Sequence, residues 1–421
     1  MYFRRYALLF GALLLAISLP LQAQDQDKPE QKWKEYDLDY RTFRFALVPG
    51  LSTNGIDAHN YASKYSFNIL GGYNGALENG YELGGLVNIN KYYAHGAQIA
   101  GLANVSGKET AGLQIAGIGN VSGSEMLGIQ LAGIGNLSAT DMQGLQFAGV
   151  ANLSGASSQG LQLSGVLNTS KSNMQGLFGA GVGNLTGGNA QGLLFGGVFN
   201  IAGGDMQGIV GSGALNYSKS FQGIAAAPVN IMADFEGIQM GTVNIIEDGQ
   251  GIQLGVLNYG KSLEGVPVGL ISYYQDGRKN IDTWVNASGF TNAGIKLGTE
   301  EVYNMISVGY NPLLSRDVWQ LGWSIGRKHE YENHSLYTDF SYFKINEGNW
   351  TQDLNSIFKY RLLFAKEVAS AVQLYGGPTA NMMISKVDQR DDYVPYRLFD
   401  FGAKGRDYVF WIGFSLGLEL L

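Results

Sequence analysis

Gly144-Leu-Gln-Phe-Ala-Gly-Val-Ala-Asn152 is the stretch whose reading decides the fold. The same frame returns as Gly112–Asn120 (GLQIAGIGN), Gly128–Asn136 (GIQLAGIGN) and Gly160–Asn168 (GLQLSGVLN). Its asparagine marks the period. It stands at Asn88, Asn104, Asn120, Asn136, Asn152, Asn168, Asn184, Asn200 and Asn216, every 16 residues, then at Asn230, Asn244 and Asn258, every 14. Charges fall between the units, at Glu109, Glu125, Asp141, Asp205, Asp234 and Asp248, where turns are expected. Helical repeats need about 33 residues or more, so a unit this short, rich in Leu, Ile, Val and Gly, must be β.

Two architectures fit. In a parallel solenoid each unit is one coil, and equivalent residues stack about 4.8 Å apart. In an antiparallel meander each unit is a strand, and about 20 or more strands close one large barrel. The shortened period favours the solenoid. Gly144 to Asn152 spans nine residues, whereas Gly251 to Asn258 (GIQLGVLN) spans eight. Losing one residue inside a straight strand turns every later side chain to the other face, but at a corner it only tightens the bend. Gly149 and its equivalents Gly117, Gly133, Gly165, Gly181 and Gly197 are the expected corners, because glycine accepts unusual φ. Pro228 also suits a corner better than a central strand. Stacked Asn and Gln would form amide ladders from coil to coil. Taken as one barrel strand, Leu177, Gly179, Gly181, Gly183 and Leu185 would offer hydrocarbon mostly glycine.

The ends of the chain read differently. Arg4 and Arg5, the apolar run Ala7–Leu19 and Leu21-Gln22-Ala23 form a signal peptide cleaved after Ala23, residues 1–23. Residues 24–41 are expected as a flexible lead-in, 42–79 as N-terminal strands, 80–275 as the repeat region and 276–421 as an antiparallel, barrel-like region. Phe410, Ile412, Phe414, Leu416, Leu418 and Leu420 alternate with Trp411, Gly413, Ser415, Gly417 and Glu419. Trp319–Ile325 and Phe358–Phe364 alternate likewise, with further candidates at 292–298, 303–311, 333–345 and 370–379. Thr42–Leu51 and Lys64–Tyr73 behave similarly upstream. Alternation over nine to eleven residues with interfacial aromatics is the mark of outer-membrane strands. No later stretch reaches about 18 consecutive apolar residues, so any membrane span past the signal must be β.

Composition closes several routes. The chain has 421 residues, no Cys, 61 Gly and a formal charge of −7, which becomes −9 when Arg4 and Arg5 leave with the signal. Without Cys there is no disulfide framework, zinc ribbon, iron–sulfur cluster or thiol catalysis. The negative charge argues against a nucleic-acid partner. His59, His95, His329 and His334 lack metal-ligand spacing, and no Gly-x-Ser-x-Gly elbow, Walker loop or Rossmann fingerprint in context occurs. The sequons at Asn104, Asn120, Asn136, Asn152 and Asn184 read as ladder positions. The column Glu109, Glu125, Asp141 continues as Ser157, Asn173 and Asn189, so it reads as a solvated turn and not a Ca²⁺ site. Catalytic, cofactor-binding and metal residues are therefore all expected to be none.

Gly251-Ile-Gln-Leu-Gly-Val-Leu-Asn-Tyr259, followed by Gly265-Val-Pro-Val-Gly-Leu-Ile-Ser272, resembles the "surface repeat" proteins of spirochaetes and Bacteroidetes. Phe67-Asn-Ile-Leu-Gly-Gly-Tyr-Asn74 is similar to the same family, and the resemblance covers roughly residues 42–310. It implies an exported outer-membrane or surface protein of a Gram-negative bacterium, with no chemistry attached to the motif. The expected role is non-catalytic: structure, display or adhesion, with outer-membrane lipid and a surface ligand or glycan as partners. A porin-like channel and a soluble periplasmic or secreted carbohydrate-binding protein are the alternatives.

Overall fold

The computed structural model describes residues 32–403 and 405–420. The expected signal peptide lies outside the described residues. The chain is 70% strand and 2% helix, arranged as a β-solenoid of about 13 turns and a separate antiparallel sheet. It divides into two compact units, ending at Ala116 and beginning at Gly117.

In the first unit the strands Asp39–Val48, Tyr61–Asn68, Ala76–Gly84, Ala94–Ala100 and Thr110–Ala116 stack in parallel. A second series, Gly71–Asn74, Val87–Asn90 and Ala103–Ser106, completes each coil. Two expectations change here. Segments 42–51 and 64–73, grouped with the antiparallel flanks, belong to parallel coils except that Leu51–Ser52 folds back antiparallel on the first strand, because their alternation marks a strand without naming its partner. The lead-in also ends early: Lys32–Lys34 is a 3₁₀ turn, and Trp33, Tyr36 and Leu38 pack with Tyr92 and Tyr93. Burial of those rings orders a segment that otherwise looks polar.

In the second unit each coil pairs a longer strand, such as Met142–Ala148, with a short one, such as Ala151–Ser154. From Gly135 on, each strand is in register with the coil before it, Gly128 on Gly144 on Gly160 and Asn136 on Asn152 on Asn168. The repeats are therefore coils and not strands of one large barrel. The change of period leaves the register intact. One residue is lost where Ala202–Asp205 gives way to Ser218–Ser220, and one where Ser212–Ala214 gives way to Ala227 and Pro228. Both lie outside the paired positions. Pro228 sits at the corner, where its carbonyl accepts from Thr242 N and Val243 N.

The left-handed glycine is not the one the sequence suggested. Gly144, with φ +129°, bends the longer strand, and its equivalents from Gly128 to Gly265 share that conformation. Gly149 is required for a different reason: a Cβ there would lie 2.0 Å from Gly133 O of the neighbouring coil. Close approach of stacked backbones excludes a side chain as firmly as φ does.

The second sheet closes on itself. Strands Arg278–Asn286, Thr291–Gly298, Val302–Tyr310, Val318–Glu330, Ser335–Glu347, Asn355–Ala369, Val372–Ser385 and Arg406–Leu420 pair antiparallel in order, and Ile281–Asn286 pairs with Ser415–Leu420 to complete an eight-stranded barrel. Phe399–Ala403 adds a flap on the last strand. At one end the connections are short: residues 299–301, 331–334 and 370–371. At the other they run 287–290, 311–317, 348–354 and 386–405. Both ends of the barrel chain, Arg278 and Leu420, lie at the short-turn end.

The last coil meets the barrel from outside. Asn304 and Trp323 point away from the lumen. Asn304 Oδ1 accepts from Gly269 N (3.0 Å), and Asn304 Nδ2 donates to Pro267 O (2.7 Å). Trp323 Nε1 donates to Gly269 O (2.7 Å). These side chains satisfy backbone groups at the open edge of the solenoid, which otherwise would be left unpaired.

Candidate functional site

The molecule's chemistry lies in where its polar groups have gone. Inside the second unit's coils an unbroken amide chain runs from Asn120 through Asn136, Asn152, Asn168, Asn184, Asn200, Asn216, Asn230, Asn244 and Asn258 to Ser272. Ten successive Nδ2–H···O bonds of 2.8–3.2 Å make it. Each asparagine also donates to a carbonyl of the next coil, as Asn168 does to Gly179 O at 2.9 Å. The sequons are thus buried rungs. A glutamine column runs beside them, with Gln162 donating to Gln146 and Gln146 to Gln130. It breaks at Phe178, where a core of Met174, Phe178, Leu194, Met206, Val210 and Phe221 takes over. In the first unit the glutamine column ends on a carboxylate. Gln114 donates to Gln98 (2.7 Å), and Gln98 to Glu82 Oε2 (2.8 Å). Buried Arg44 donates to Ser66 Oγ, Asn68 Oδ1 and Tyr73 O nearby. Burial holds its guanidinium below the ordinary value, and the charge of Glu82 opposes that shift.

With Asn, Gln and Ser inside, the apolar residues point out. In the second unit Ile129, Leu145, Leu161, Leu177, Leu193, Ile209, Ile224, Ile238, Ile252 and Val266 form one outward column. A second runs Leu131, Phe147, Leu163, Gly179, Phe195, Gly211, Ala226, Met240, Leu254 and Val268. Corner residues such as Ile134, Val150, Val166, Val198, Val256 and Leu270 form a third, and Leu137, Leu153, Leu185 and Tyr217 belong to a fourth. The glycines that made a single unit look like a poor apolar surface are covered by their neighbours: a Cβ on Gly179 would touch Leu163 Cδ2 at 2.8 Å. All eleven charged residues of 117–275 lie elsewhere. Glu125, Asp141, Lys171, Asp205, Glu247 and Lys261 are in turns, Lys219, Asp234 and Asp248 stand at the corresponding corners inside strand segments, and Glu236 and Glu264 continue the exposed column of Gln143, Gln159, Gln175 and Gln191. The first unit has its own apolar outer columns, with Phe43 beside Tyr65 and Phe45 beside Phe67.

The barrel is inverted in the same sense. Ile281, Val285, Ile295, Ile306, Val308, Phe340, Tyr360, Phe364, Phe414 and Leu416 are exposed on its outer wall. Tyr310, Trp350, Phe399 and Phe401 are exposed towards the long-loop end. Inside, Glu419 accepts from Arg278 (2.9 Å) and Tyr337 OH (3.0 Å) and pairs with Lys296, which also pairs with Asp282 (2.8 Å). Asp339 accepts from Arg361 Nε (2.7 Å), Tyr303 OH and Ser341 Oγ. Trp284, Tyr303, Tyr337, Phe343, Met383 and Trp411 are buried and fill the lumen. Eight strands leave an interior about wide enough for side chains alone.

The expected site residues can now be placed. Glu109 pairs with Lys32 and lies 3.2 Å from His95. Burial, assisted by the charge of Lys32, pushes the His95 imidazole down to about 4. Asp141, Asn173 and Asn189 each accept from a backbone N–H one coil on, at Ser157, Asn189 and Asp205, which explains that column as turn capping. His59 stacks on Tyr73 and His334 on Tyr331. Among the described residues, no group of three or more His, Asp or Glu is placed to hold a metal. A cleft of about 760 Å³ between the last coils and the short-turn end is lined by Asp248, Glu264, Asp276, Glu300 and Glu301, the last paired with Arg327. Sequence reasoning missed the strand Arg278–Asn286. Its inward Arg278, Asn280 and Asp282 hid it, although charge on one face of an alternating strand is itself the mark of a polar lumen. No protein family, curated protein or solved structure matches the chain.

Proposed function

We propose that the chain is a non-catalytic outer-membrane protein with a structural role, in which the barrel is the membrane anchor and the solenoid a rigid repeat element built onto it. One observation carries this reading: the barrel presents aliphatic and aromatic side chains outward and pairs Arg278, Lys296 and Arg361 with Glu419, Asp282 and Asp339 inside. Burying charge while exposing about ten large apolar side chains is costly in water and favourable in hydrocarbon. The side-chain-filled lumen supports an anchor over a pore. The connections add an orientation, because short turns face the periplasm in outer-membrane barrels. The solenoid joins the barrel at that end, which supports a structural role at the periplasmic face over adhesion outside the cell.

Single cysteines test this, since the chain has none. Asn349→Cys, in a long loop, and Ser157→Cys, Lys171→Cys and Asp205→Cys, on the solenoid's polar edge, are exposed to a membrane-impermeant maleimide. Asn349→Cys should label in intact cells and the other three only after lysis. Labelling of all four in intact cells would restore display or adhesion. Labelling of none before lysis, in a protein that extracts without detergent, would favour the soluble reading.

A further inference from the structure

The outward columns of the second unit's solenoid leave a long aliphatic wall with no partner in the chain. We infer that this wall is a lipid-contact face that lies among the acyl chains of one leaflet, with the exposed column from Gln143 to Glu264 and the turns in the aqueous phase. The inference rests on the barrel being membrane-embedded.

Three observations carry it. The first is sidedness. The four outward columns hold no charged residue from Ile129 to Tyr273, while all eleven charges of 117–275 lie at the corners between units or in the exposed column that runs from Gln143 to Glu264. A solenoid in water has no reason to sort its surface in this way. An element lying at a bilayer surface has, because its apolar face enters the hydrocarbon and its polar face the headgroups. The second is continuity. The last coil is seated on the barrel's outer wall, at Asn304 and Trp323. Ile295 and Ile306, paired neighbours on that same wall, are exposed beside it. The solenoid wall and the barrel wall therefore meet at one apolar surface. Asn304 lies two residues from the strand start at Val302, so the junction is at the short-turn end and the wall meets one leaflet. The third is backbone chemistry. Coil-to-coil hydrogen bonds pair the strand backbone along the stack, and Asn304 and Trp323 occupy groups of the terminal edge. An open edge is what hydrocarbon does not tolerate.

The fit to acyl chains is better than the fit to a second copy. The wall is mostly aliphatic: aromatic rings occur at Phe147, Phe195, Tyr217, Tyr259 and Tyr273, and it has no Arg or Trp, two of the three residue types that dominate interface hot spots. Along the ten asparagine steps it runs roughly 48 Å at about 4.8 Å per coil.

The test uses the full-length protein in phospholipid vesicles, with bimane on single cysteines and phosphatidylcholine brominated along its acyl chains as quencher. Leu177→Cys and Val150→Cys report the wall, Lys171→Cys and Gln159→Cys the polar edge, and Phe414→Cys the barrel. The expected result is loss of fluorescence at Leu177→Cys, Val150→Cys and Phe414→Cys, with Lys171→Cys and Gln159→Cys unaffected. Quenching at Phe414→Cys alone would overturn the inference and leave the anchored barrel standing. A blue-shifted but unquenched Leu177→Cys would overturn it in favour of a second copy covering the wall. Equal quenching of wall and edge would overturn the sidedness. Quenching nowhere would remove the membrane reading and this inference together.

Discussion

Replacing Asn168 by alanine tests the amide ladder most directly. Asn168 is fully buried; its Nδ2 donates to Gly179 O (2.9 Å) and Asn184 Oδ1 (2.9 Å), and its Oδ1 accepts from Asn152 Nδ2 (3.0 Å). Asn168→Ala strands Asn184 Oδ1 and Gly179 O and also removes the longer bond to Gln162 O (3.2 Å), while Asn152 Nδ2 keeps a second partner in Leu163 O. At about 1–3 kcal/mol for each of the two stranded groups, the local cost is roughly 2–6 kcal/mol. Coils contact only their neighbours, so the loss is confined to adjacent turns. Backbone hydrogen exchange of peptides spanning 160–190 reads it as roughly 30-fold to 25,000-fold faster opening. Outward Leu145→Ala removes no hydrogen bond and should leave that exchange unchanged. Gln162→Met is the intermediate case. It strands Gln146 Oε1 but also removes Gln162 Oε1, which already lacks a partner because Phe178 is the next rung. If Asn168→Ala exchanged no faster than Leu145→Ala, the ladder would be a geometric coincidence of stacking without energetic weight.

Other consequences can be checked with the same protein. Gly160→Ala should prevent the coils around it from assembling, since φ is +124° and its Cβ would lie 2.1 Å from Gly144 O, whereas Gly135→Ala, with 3.2 Å to Ala151 O and alanine already at the equivalent position 151, should fold; protease resistance of the repeat region separates them. In the first unit, His95 has a folded value near 4 against 6.5 unfolded, so the unfolded chain binds the proton first. Stability of that unit should therefore fall as pH drops from about 6.5 towards 4 and level off below, and His95→Gln should flatten the slope seen by exchange at pH 7 and pH 5. In the barrel, Arg361→Met leaves Asp339 buried without its ion partner and should cost about 3–5 kcal/mol, read as a lower temperature for loss of the folded band in detergent gels. The double variant Arg361→Met with Asp339→Leu should recover most of it, and failure to recover would mean the pair acts through packing and not charge.

The recurrence of Asn every 16 and then 14 residues fixed the repeat, and the shortened period favoured coils with an amide ladder over strands of one large barrel; the parallel register came from the stacked strands themselves. A residue repeated at one phase of a stack meets itself, and a buried amide must find a partner. The alternation of Phe410–Leu420 determined an inside and an outside for the last strand in the same way. Alternation has a period of two in every sheet, so it could not say which strands pair. Only the tertiary structure sent Thr42–Leu51 into a parallel coil, brought Arg278–Asn286 against Ser415–Leu420 to close the barrel, and turned the aliphatic columns outward. Which glycine bends also depended on the stack: Gly144 carries the left-handed backbone and Gly149 the close contact, a distinction set by the neighbouring coil's carbonyls. The repeat sequence carries the local rule for one coil. Partner choice, closure and the facing of the walls depend on contacts between residues far apart in the chain, which a sequence pattern does not encode.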